Sequence, residues 1–111
     1  MNIRYSRPAR IDIDSAFTYI MERNPQTAME WIDAYDTRIA QLKKFPFLGQ
    51  SVDSNLLRGG QRDLRLLSFD SYIVFYYVAD DDIFISRVLH KKRDLTHLLM
   101  TIEVPPYEVP E

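Results

Sequence analysis

Seven residues, YIVFYYV at 72–78, are apolar on both faces of any strand they form, and acidic punctuation closes them in on either side. Asp70-Ser71 stands before them and Asp80-Asp81-Asp82 after them. Beyond that punctuation lie two further strand-like runs, RDLRLLSF at 62–69 and IFISRVLH at 83–90. Connectors of two or three residues leave no room for a crossover, so the three runs must form antiparallel hairpins. The doubly apolar run is the expected central strand, because only a central strand buries both faces.

The first half of the chain carries a different period. Ala9, Ile13, Ala16, Phe17 and Ile20 recur at three- and four-residue steps, as do Ala28, Trp31, Ile32, Tyr35, Ile39 and Leu42. Each set marks one face of an amphipathic helix. Ser6 is the expected cap of the first helix, with Pro8 in its first turn. Asn24-Pro25 ends that helix near Arg23 and starts the second, which runs to about Lys44. So short a link folds the helices back as an antiparallel hairpin. FPFLG at 45–49 closes the second helix, and Gly59-Gly60 marks a turn. With NIRY as a first strand, the order is β-α-α-β-β-β. The expected fold class is α+β, with an N-terminal helical hairpin packed on one face of a small antiparallel sheet. The other face is expected to stay partly open and to carry function.

Length and composition bound the rest. A chain of 111 residues with 46% hydrophobic side chains suits one domain with a real core. Residues 1–100 are read as that domain, and 101–111, TIEVPPYEVPE, as a Pro-rich acidic tail. DLTHLL at 94–99 reads as a short helix before it. There is no cysteine, which excludes disulfides, thiol catalysis and cysteine-held zinc. Two histidines seven residues apart without HExxH make a poor metal site, and no glycine-rich phosphate loop is present, so neither metal nor cofactor is expected. The longest apolar run is too short to cross a bilayer and no signal sequence leads the chain, which points to the cytoplasm and away from a membrane. A net charge of −2 argues against direct nucleic-acid binding.

The charge is unevenly placed, and in RVLHKKRDL at 87–95 four cations stand against one acid. Strand alternation puts Arg87 with Ile83, Ile85 and Leu89, and His90 with Phe84, Ser86 and Val88. The two therefore face opposite sides unless the strand carries a bulge. On the residues alone, His90 reads first as a hydrogen-bonded strand end. Lys91, Lys92 and Arg93 read first as a solvated turn, and Arg62 and Arg65 as rim residues able to pair with Asp63 and Asp94.

The segments RNPQTA (23–28), LKKFPFLG (42–49), GGQRDL (59–64), SYIVFYYV (71–78) and ISRVLHKKRDL (85–95) come in an order that resembles the ParE/RelE toxin superfamily. The resemblance is closest to the ParE branch, the plasmid stabilisation proteins, and covers roughly residues 2–99. It implies the toxin of a type II toxin–antitoxin module. The partner would be a cognate antitoxin, disordered until bound, and the two would form a hetero-oligomer. RelE-like members cut messenger RNA on the ribosome without a metal, whereas ParE-like members inhibit DNA gyrase by binding.

RelE-like enzymes commonly carry an arginine after the tyrosine that opens the central strand, and here Ile73 follows Tyr72. If the chain were a ribonuclease, its catalytic set would come from Arg62, Arg65, His90, Lys91 and His97, with His97 standing where others have a tyrosine. Arg62, Tyr72, Arg87, His90 and Arg93 match what ParE-like sequences tend to carry. The resemblance thus implies a gyrase inhibitor, with Arg62, Arg65, Arg87, His90, Lys91, Lys92 and Arg93 as target contacts and no catalytic residue. A third reading is a non-toxic relic of the fold that only binds a partner; it would be harmless when expressed alone.

Overall fold

The structure is a computed structural model that describes residues 1–52 and 63–92. Strand β1 (Asn2–Tyr5) leads into helices α1 (Arg7–Arg23) and α2 (Pro25–Lys44), followed by β2 (Gln50–Ser51), β3 (Arg65–Phe69), β4 (Tyr72–Ala79) and β5 (Asp82–His90). Arg62, Arg93, Asp94, His97, the 94–99 helix and the 101–111 tail lie outside the described residues.

Both helix starts are capped as their sequences demand. The Ser6 hydroxyl accepts from Ala9 N at 3.0 Å, with Pro8 in the first turn. Asn24 serves two helices. Its N–H closes α1 onto Ile20 O at 2.7 Å, and its side chain accepts from Thr27 N at 3.2 Å to open α2. Each cap satisfies backbone groups that a helix end leaves orphaned. Pro25 supplies the fixed φ of the first α2 residue. The two helices are thus a hairpin hinged on one asparagine.

The strands form one sheet in the order β1-β5-β4-β3-β2. Strands β3, β4 and β5 make the antiparallel meander that the short connectors require, and β4 is central. Asp70 and Asp80 open the two turns at φ 52° and 56°. Asp tolerates that region better than most residues because its carboxylate bonds the local backbone. Strand β1 lies parallel to β5 from Asn2↔Asp82 to Tyr5↔Ile85, which makes the sheet mixed. The helical hairpin between β1 and the meander is long enough to permit that parallel pairing.

Trp31, Tyr35, Ile39 and Leu42 of α2 pack with Leu67, Phe69, Val74, Tyr76, Ile83, Ile85 and Val88 of the sheet. Burying each large side chain is worth about 1.5–3 kcal/mol, so this layer is the main source of stability. The opposite face holds a second cluster of Leu64, Ile73, Phe75, Tyr77 and Leu89. Phe75 is 0% and Tyr77 1% exposed, so this face is buried at its centre. The expectation of an open functional face fails there: apolar residues on both sides of β4 need cover on both sides.

Candidate functional site

Strand β5 carries a bulge. Phe75 stands opposite Arg87 and Tyr76 opposite Ile85, so Ser86 is the extra residue of the bulge. The bulge shifts the alternation by one. Before it, Ile83 and Ile85 point to the helices; after it, Val88 does, while Leu89 joins the far cluster. Ser6 Oγ donates to the Ser86 carbonyl at 2.8 Å, tying the bulge to the cap of α1.

Beyond Ile85, β1 no longer pairs with β5. The bond from Lys91 N to Ser71 O, 2.8 Å, fixes which backbone groups face β4. By alternation, the N–H and C=O of Val88 and His90 point away from it. Val88 N finds the carboxylate of Asp12 at 3.0 Å. The same carboxylate takes the Arg87 guanidinium in two bonds, Nε at 2.7 Å and Nη2 at 2.9 Å. The Asp12 and Arg87 side chains are only 12% and 19% exposed. A bidentate pair in such shelter is a fixed element rather than a fluctuating surface contact.

Between this edge and α1 lies a cavity of about 600 Å³, lined by Asp12, Ser15, Ala16 and Tyr19 of α1, Tyr72 of β4, Arg87, Val88, Leu89 and His90 of β5, and Lys92. His90 meets the Tyr72 ring edge-on at 5.0 Å between centroids. Its Nδ1 accepts from Lys92 N at 3.1 Å, so the neutral ring carries its proton on Nε2. Burial, then the neighbouring Tyr19 and Asp70, push the Tyr72 phenol above its ordinary pKa, and it stays protonated at neutral pH. The cavity thus combines one neutralised arginine, one lysine, an imidazole and two phenols.

Arg87 and His90 line one cavity, although the bulge lies before both and leaves them on opposite parity, as alternation predicts. His90 follows Val88 to the helix side, and Arg87 reaches Asp12 of α1. The other proposed residues are elsewhere. Lys91 lines a shallow depression with Arg38, Gln41 and Asp70, between α2 and the β3–β4 turn. Arg65 lies across the sheet, two strands from β5. Its guanidinium donates to Gly49 O at 2.7 Å and Phe47 O at 3.4 Å, pairs with Asp63 at 3.0 Å, and lies 4.8 Å from the centre of the Phe47 ring. It clamps the turn after α2. Sequence reasoning missed Asp12, Ser15 and Tyr19. With Ala16 they occupy i, i+3, i+4 and i+7 of α1, a polar stripe visible in the sequence, but nothing local shows what it faces.

Residues 3–95 match the family model described as the ParE toxin of the type II toxin–antitoxin system parDE. Among solved structures, the chain is similar to one titled "Chromosomal ParDE TA system from P. aeruginosa", with a TM-score of 0.61 and 17% sequence identity. The match covers 81% of this chain and 95% of that one, and at such identity it speaks for the fold alone. No curated protein matches significantly by sequence.

Proposed function

The chain belongs to the ParE toxin family of type II toxin–antitoxin systems, and from that premise we propose that it arrests bacterial growth by binding DNA gyrase and is neutralised by a cognate antitoxin. The target contact is the β5 end, where Arg87, His90 and Lys92 share one cavity, joined by Lys91 on the adjoining rim. No bond chemistry by the toxin is required. A binder that favours the cleaved-DNA state of gyrase over the resealed one shifts that equilibrium by its differential affinity. Arg62 and Arg93 remain proposed contacts from the sequence.

One observation carries this over the ribonuclease reading. Cleavage by a 2′-hydroxyl needs cations aimed at the developing phosphorane charge. Here Arg87 is bonded through two nitrogens to Asp12, and Arg65 is bonded to Gly49 O and Asp63. Both guanidinium groups are occupied in holding the fold. The antitoxin is proposed to cover the helical hairpin, where Ile11 and Met29 are 57% and 51% exposed, and the edge of β5 beyond its pairing with β1.

The test is to induce the chain alone in bacteria while following an SOS reporter and messenger RNA ends. An SOS response that precedes any RNA cleavage, and that vanishes when the antitoxin gene is co-expressed, is the expected result. Early RNA cleavage without an SOS response refutes the gyrase reading. A second reading has its own support, because His90, Tyr72 and Lys92 share a cavity as an acid–base set would. If it holds, His90→Ala lowers RNA cleavage on ribosomes by roughly 10²-fold or more.

A further inference from the structure

The turn after α2 exposes three large apolar side chains within four residues. Phe45 is 62%, Phe47 64% and Leu48 44% exposed. Single apolar residues on a surface need no explanation, but a cluster does. This one is held firmly. The buried Tyr76 hydroxyl accepts from Gly49 N at 2.8 Å and donates to Pro46 O at 2.9 Å. Leu48 N donates to Phe45 O at 3.0 Å, and Arg65 grips Gly49 O from below the Phe47 ring. Gly49 sits so close to the sheet that an added Cβ would lie 2.5 Å from Leu66 O. All these anchors use backbone, Tyr76 and Arg65. The Phe45 and Leu48 side chains take no part in these anchors, the Phe47 ring does so only through the face it turns to Arg65, and all three stand largely exposed.

We propose that this FPFL turn is a docking knob that inserts into an apolar pocket with a carboxylate rim on the surface of gyrase. The proposal rests on the gyrase reading above and adds a second contact, across β4 and β3 from the cavity at the β5 end. Charge argues for the rim: Lys43 and Lys44 are exposed in the last turn of α2 beside the knob, and no acidic residue occurs from 41 to 52. Rigidity argues for a folded target. A pre-organised aromatic knob loses little freedom on entering a preformed pocket, and such anchors dominate binding energy. A partner that orders on binding instead needs a long groove.

The experiment compares wild type, Phe45→Ser/Phe47→Ser and Lys43→Glu/Lys44→Glu for inhibition of supercoiling by purified gyrase, with co-purification of the antitoxin as control. The serine variant is expected to need at least about tenfold more protein for half-inhibition. The charge-reversed variant is expected to lose several-fold and to lose its dependence on salt, while both variants still bind antitoxin. Equal potency of either variant with wild type overturns the proposal, as does loss of antitoxin binding with potency unchanged. If the serine variant does not fold, the charge-reversed pair decides. If wild type itself leaves gyrase untouched, the gyrase reading falls and the knob's target falls with it.

Discussion

Asp12 holds both a guanidinium and a strand edge, so its loss removes an acceptor from two groups at once. Asp12→Ala takes the bidentate carboxylate from a sheltered Arg87, at an expected cost of about 3 kcal/mol. A lower urea midpoint with unchanged m value reads that cost. The double variant Asp12→Ala/Arg87→Met recovers part of it, and a simple sum of the two single effects would contradict the coupling. Gly49→Ala pushes a methyl into the Leu66 carbonyl and the Tyr76 hydroxyl, both fixed. We expect a loss of about 2–3 kcal/mol by denaturant titration.

The Tyr5 and Tyr35 hydroxyls lie 2.7 Å apart, and burial pushes both phenols above their ordinary value of 10.0. The folded state then holds these protons more tightly than the unfolded chain. Their contribution is complete below about pH 10 and is lost as pH rises further. The urea midpoint should therefore fall above about pH 10, and Tyr35→Phe should flatten that fall. An unchanged slope would show that the pair is not coupled to folding. None of these three sites was legible in the sequence, because Asp12–Arg87, Gly49–Tyr76 and Tyr5–Tyr35 join positions far apart in the chain.

Elements were far more legible than contacts. Local chemistry sets their ends: Ser6, Asn24 and Pro25 bound the helices, and Asp70-Ser71 and Asp80-Asp81 bound the strands, much as expected. The one local event that changed the site was the bulge at Ser86. It has no glycine or proline to mark it, and the period-2 count ran through it unaware. Ser6 links these two levels by capping α1 and holding the bulge carbonyl. Ser6→Ala should cost about 1–2 kcal/mol, at the upper end of a helix cap. Amide exchange should then quicken in the first turn of α1 and at 86–88 together. Quickening in α1 alone would separate the cap from the bulge.

Seen whole, the molecule is a two-layer fold whose proposed contacts lie at its edges. Helices cover one face, apolar residues fill the other, and β1 pairs with β5 only as far as Ile85. The family and its layout were legible because each rests on ordered local patterns along the chain. Of the proposed contacts, Arg87, His90 and Lys92 line one cavity, while Arg65 and Lys91 do not join them. Strand parity places residues on faces but says nothing of which cations other residues will occupy. That occupancy is the ground on which a binder is proposed over a nuclease.

The most direct test of that claim is purified gyrase with supercoiled DNA and ATP, titrated with the purified chain. Accumulation of gyrase-linked cleaved DNA, reversed by the antitoxin, is the expected result, with RNA left intact when ribosomes and message are supplied instead. Undisturbed gyrase beside cut messenger RNA would contradict it.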